Sequence, residues 1–222
     1  MSLKVNLPIT LFICLFLAGC NNSEATSLPL DTPLSDNFGE SAYALPESLA
    51  DIEGRTENSV RVKMLNIHHL GELDPEKDDY QWTLTVSEVE VLDVIEGDLE
   101  TGDTIFVGEP YYLSHGEDLQ RIGGYVPMIN GQDYLLFLST LREETWLEEP
   151  VDSWEIVFSG YGQHHPDKEA DFYDDLHSRN TKGFETVSDI LDYDFMATRA
   201  DEVELYRTIR AEIEEQYFYI FD

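Results

Sequence analysis

Two pairs of adjacent histidines, His68-His69 and His164-His165, are the first residues in this chain that could do chemistry. On a strand, neighbouring side chains point to opposite faces, so each pair can offer one imidazole to a shared site. One imidazole from each pair and a nearby carboxylate would form a donor set suited to a transition metal. The helical spacing of a zinc protease, two histidines four apart with a glutamate between, is absent. The acidic stretches at 74–79 and 167–175 lack the glycine and the closing glutamate of an EF-hand loop, so they read as solvated charge.

Other catalytic signatures are missing. The chain has no Gly-x-Ser-x-Gly, and Gly160-Tyr161-Gly162 lacks the Lys and the Ser or Thr of a phosphate loop. No cofactor is expected, and the pattern favours a binding module over an enzyme. The candidate ligand-binding residues are aromatic. Tyr111 and Tyr112 follow Pro110 in a long stretch that runs to Gly124, and Tyr161 lies beyond the last strand of the central region. Long loops that carry aromatics commonly serve binding.

Strands must position these groups. Val60, Val62 and Met64 alternate with Arg61 and Lys63 over 59–67, the pattern of a half-buried strand. The longest strand signal covers 81–95, where apolar residues change parity near Ser87-Glu88 and predict a bulge. Asn130-Gly131 predicts a hairpin between 125–129 and 134–138. The run Tyr134-Leu135-Leu136-Phe137-Leu138 is apolar on both parities and predicts a strand covered on both faces. Short helices are expected at 46–53 and 166–178. A last helix is expected to open with a capping box at Thr198-Arg199-Ala200-Asp201 and to carry the stripe Val203, Tyr206, Ile209, Ile213, Tyr217 and Ile220, which should pack on the strands.

Residues 1–20 combine a lone basic residue, Lys4, with an apolar run over 7–18, too short to span a bilayer but right for a signal-peptide core. The run ends in Leu17-Ala18-Gly19-Cys20 and polar Asn21, Asn22 and Ser23 follow. This resembles the lipobox of bacterial lipoproteins, which implies cleavage before Cys20, diacylglycerol on its sulfur, and a protein lipid-anchored in the cell membrane and facing outside the cytoplasm. The mature chain would keep Cys20 alone, since Cys14 lies in the removed peptide, so no internal disulfide could form.

The segments Val-Leu-x-Val-x-x-Gly-Asp after residue 90, Gly102-Asp103-Thr104-Ile105 and Gly131-Gln132-Asp133-Tyr134-Leu135 resemble strand arrangements of secreted bacterial proteins with a small closed barrel of the OB type, as in netrin-like inhibitor domains. The cysteines of the netrin-like domains are missing here. The expected organisation is a signal peptide at 1–19, the acylated Cys20 and a flexible tether to 46, an OB-like antiparallel β-barrel at 47–160, and a helical C-terminal segment at 161–222 packed on it. About 25 tether residues would give a mean reach near 30 Å. The expected partners are the membrane, through lipid on Cys20, and an envelope protein or small ligand. Metal binding through the histidine pairs and a structural role at the surface or cell wall are the alternatives.

Charge narrows the partners further. With 46 Asp and Glu against 13 Lys and Arg, the formal net charge is -33. Nucleic acid is excluded, because its affinity rests on basic clusters that release counterions from phosphates. Loss of residues 1–19 removes Lys4 and no acid, leaving 12 basic and 46 acidic residues, or -34. The acids spread along the whole mature chain, which indicates a surface adapted to its medium. Salt should therefore stabilise the fold by screening self-repulsion. A thermal melt of the mature domain should shift upward between low and molar sodium chloride; an unchanged midpoint would contradict this.

Overall fold

The computed structural model describes residues 27–35, 43–73, 84–141, 153–172, 184–197 and 199–222. The chain is mainly β, a closed five-stranded barrel followed by a C-terminal helix. The strands are β1 (Asn58–His69), β2 (Glu72–Leu73), β3 (Thr85–Glu96), β4 (Thr104–Glu109), β5 (Tyr111–Ser114), β6 (Asp118–Arg121), β7 (Asp133–Thr140), β8 (Ser153–Ile156), β9 (Gln163–His164), β10 (Glu169–Phe172) and β11 (Tyr193–Ala197). The helices are α1 (Leu49–Glu53), α2 (Val187–Ile190) and α3 (Ala200–Tyr217).

The barrel runs β1-β3-β4-β8-β7 and closes where β7 pairs back onto β1, with Val60 opposite Leu136 and Val62 opposite Tyr134. Closure leaves no free sheet edge within it. All its neighbours are antiparallel except β4 and β8. Alternation fills the interior with Val60, Val62 and Met64 from β1, Val89 and Val91 from β3, and Leu136 and Leu138 from β7. The other face of β7 presents Leu135 and Phe137 to a second core made with α1 and α3. The double cover expected for this strand is what the fold uses.

The stripe on α3 packs as expected: Val203, Tyr206, Ile209 and Ile213 are buried on this second core. The helix begins at Ala200 with Arg199 at its N-cap position and no side-chain cap bond there; Thr198 lies outside the described residues. A capping box occurs instead at α2, where the Asp189 carboxylate accepts the Thr186 N–H at 2.8 Å. Among the described residues, no helix is long and apolar enough to cross a membrane.

Four expectations change. The predicted helix over 166–178 is a turn at 166–167 and a strand at 169–172, which pairs in parallel with β11, while 173–178 lie outside the described residues. Asn130-Gly131 turns the chain, with Gly131 at φ +82, but 125–129 form no strand; the turn binds β1 through Gly131 N–H to Met64 O at 2.7 Å. The irregularity expected at Ser87-Glu88 lies across the ladder, where Leu65 of β1 is the extra residue between Met64 opposite Val89 and Asn66 opposite Glu88. Part of the expected tether is folded: Leu34 bridges Leu119, Pro33 bridges Thr186, and Thr32 O accepts the Val187 N–H at 3.0 Å. Leu28 and Leu34 explain this, since both pack on the barrel core.

The C-terminal segment is sewn to the barrel at Gly124, whose carbonyl accepts the Met196 N–H at 2.9 Å beside a Tyr125–Phe195 bridge. A Cβ at Gly124 would lie 2.5 Å from the Phe195 ring, and its φ of +72 also favours glycine. Phe195 cannot retreat, because it stacks on Tyr206 with centroids 4.4 Å apart. Gly124→Ala should cost about 3 kcal/mol, combining strain with overpacking. Gly102→Ala, at φ +94 with nothing within 4 Å, should cost only the strain, about 1–2 kcal/mol. Urea midpoints of the two variants measure the difference.

Candidate functional site

The histidine pairs do not converge. His68 and His69 end β1 on the exposed surface, and His68 packs on Phe106 with centroids 4.6 Å apart. His164 pairs with Leu135, which faces Arg61, seven residues back along β1 from His68 and so about 20 Å away along the strand. Among the described residues, no three His, Cys, Asp or Glu are arranged to hold a metal. His115 sits in a turn at φ +53; His177 lies outside the described residues, as does the acidic stretch at 74–79.

His164 and His165 instead enter a buried polar clamp. Its centre is Asp194 on β11, which is 1% exposed. Asp194 is ion-paired with Arg210 of α3, accepts the Tyr206 hydroxyl at 2.6 Å, and takes the His165 N–H on both oxygens at 2.9 and 3.1 Å. Arg210 reaches on to the His165 carbonyl at 2.8 Å and to Glu214 at 2.7 Å. Burial raises the Asp194 carboxyl to about 6, with Arg210 opposing the rise. Burial, reinforced by Arg210, holds His164 well below its ordinary range, so its ring is neutral. One ring nitrogen lies 2.9 Å from the Tyr161 carbonyl and the other 3.1 Å from the Tyr206 oxygen. A His, an Asp and a Tyr in sequence suggest acid–base chemistry, but all three are sealed from solvent and are spent holding α3, β9 and β11 together.

The aromatic candidates are placed otherwise than their loop position predicts. Tyr111 opens β5, is fully buried, and stacks on Tyr125 with centroids 6.3 Å apart. Its hydroxyl has no hydrogen-bond partner among the described residues. Tyr112 is half-buried. Tyr161 is fully buried, donating to the Glu202 carbonyl at 3.1 Å and packing on Phe195. These rings close the core, so Tyr111 and Tyr161 are not exposed ligand contacts.

One open concavity among the described residues is a groove of about 290 Å³ whose lining includes Tyr43, Arg55, Ser139, Glu155, Phe158 and Ser159. It forms where the chain leaves β8. Gly160 and Gly162 allow a tight bend there, since a Cβ at Gly162 would fall 2.2 Å from the Val157 carbonyl. The bend forces Phe158 and Ser159 both to φ +55. For residues with a Cβ this costs about 1–2 kcal/mol each, and such strain gathers at functional sites. Arg55 covers the Phe158 ring at 4.3 Å and lies 3.3 Å from Asp51. Glu155 accepts the Ser139 hydroxyl at 3.1 Å, and Tyr43 donates to Glu202 at 2.6 Å. The groove thus offers two aromatic rings, one cation and one anion. It is suited to a small ligand or a short segment of a partner.

The barrel interior holds a second polar group, Glu109, fully buried at the end of β4. The Ser87 hydroxyl donates to one carboxyl oxygen; the Met128 N–H donates to the other at 2.9 Å, and the Tyr125 oxygen lies 2.7 Å from it. Tyr125 also lies 2.5 Å from Gln163 Oε1, whose amide is oriented by its Nε2 donating to Val126 O at 2.9 Å. One tyrosine proton cannot serve two acceptors. The contacts close only if Glu109 carries a proton and donates it to Tyr125, which then donates to Gln163. Burial agrees, raising the Glu109 carboxyl to about 7 against the pull of its donors.

No protein-family model matches this sequence, and no curated protein is detectably similar to it.

A carboxyl with a raised folded pKa stabilises fully below its unfolded value of 4.5, and that contribution is lost as pH rises to about 7. Glu109→Gln keeps the shape and removes the titration. It carries a fixed cost, because the amide nitrogen faces the Met128 N–H. Relative to the wild type, however, the variant should gain about 3 kcal/mol between pH 4.5 and 8. Urea unfolding of both proteins across that range measures it, and a constant difference would contradict the buried proton.

Proposed function

We propose that this chain is a lipid-anchored extracytoplasmic binding module, without catalytic chemistry of its own, whose working surface is the groove beside Phe158 and Ser159. The observation that carries the anchor is Leu17-Ala18-Gly19-Cys20 after a short apolar run, with Cys20 the one cysteine left after cleavage. Dual acylation suits the purpose, since one acyl chain binds a membrane only reversibly. The binding role is supported by the groove, where strained residues and an arginine with 58% exposed side chain line an open concavity. The -33 charge bears on the ligand class. A polyanion is repelled at long range, so the groove favours a neutral, zwitterionic or cationic ligand.

Expression with labelled palmitate tests the anchor. The wild-type chain should incorporate label and sediment with membranes, whereas Cys20→Ala should lose both. Incorporation by the variant, or a soluble unlabelled wild type, would overturn the reading.

A further inference from the structure

The chain between the acylation site and the folded domain is much shorter than composition suggests. The fold takes hold at residues 27–35, where Thr32 is buried, Leu34 N–H donates to the Glu185 carbonyl at 2.9 Å, Ser188 N–H donates to the Leu30 carbonyl at 2.9 Å, and Ser35 N–H donates to the Leu119 carbonyl at 3.0 Å. Seven residue steps separate Cys20 from Ser27. Fully extended, they reach about 25 Å, and as a coil about 15 Å. A domain of this size has a diameter of roughly 40 Å, so such a leash fixes which side faces its anchor.

We infer that the face built from residues 27–35, α2 and β6 is turned to the headgroup layer of the bilayer that holds Cys20, and stays within about 25 Å of it. This rests on the anchor proposed above. The leash holds the domain there, and adhesion does not. The one large apolar side chain exposed on the described part of this face is Leu30, 58% exposed, and one leucine supplies less than about 2 kcal/mol. Asp31, Asp118 and Glu185 are exposed on the same elements, and among the described residues no exposed Lys or Arg occurs on the segment or on the elements it bonds. Anionic lipid therefore repels this face, and salt screens that repulsion. Partners must approach from the remaining faces, within roughly one domain diameter of the membrane.

Neutron reflectometry on the full lipidated protein in a supported phosphatidylcholine bilayer reads the gap directly. The protein layer should begin within about 25 Å of the headgroups, and inserting twenty Gly/Ser residues between Asn22 and Ser23 should widen the mean gap about twofold. A wider gap in the protein without the insertion would overturn the inference, because it requires 27–35 to be undocked. A gap that ignores the insertion would overturn it too, since adhesion would then set the distance. Mass spectrometry of the same sample separates the two claims: an unmodified Cys20 would defeat the anchor itself.

Discussion

A carboxyl group sealed inside a barrel must find a partner for each oxygen or carry a proton, and much of this structure follows from how Glu109 meets that condition. The Ser87 hydroxyl, the Met128 N–H, and Tyr125 in series with Gln163 surround it. They come from β3, the loop before β7, and β9, so the group ties a barrel strand, a loop and the neighbouring β9 to the end of β4. An unpaired charge in this place would cost several kcal/mol, and protonation is the cheaper solution. Tyr125 carries the constraint outward, because its backbone bridges Phe195 in the C-terminal segment.

The second layer repeats this logic with an ion pair. Here β7 divides two apolar cores, and the C-terminal helix is held on the outer one by Arg210 on Asp194. Breaking one partner of a buried pair generally costs about 3–5 kcal/mol, since the other is left charged and alone. Both polar centres are therefore structural. At the surface, the groove at the exit of β8 stays open where the backbone is strained.

Much of the architecture was legible. Alternation located β1 and β3, the two-sided apolar run identified β7, and the stripe on α3 predicted its packing. One error came where polar residues face inward. Thr85, Ser87, Val89 and Val91 share one parity and are all buried; reading Thr85 and Ser87 as outward produced the supposed parity change. The correcting signal was present, since Ile105 and Val107 put Glu109 on the same inner face of β4. The 27–35 segment was missed because two bridges and a few leucines leave no periodicity. The groove was missed because its strain depends on how Gly160 and Gly162 pack. The histidine pairs looked like chemistry because spacing does not reveal that β1 and β9 hold them at different levels of the barrel.

The central claim is the proton on Glu109, and carbon-13 NMR of its carboxyl through a pH titration observes that proton directly. The Glu109 carboxyl should still be protonated at pH 6 and titrate near 7. A Glu109 resonance that titrates near the ordinary glutamate value of 4.5 would contradict this.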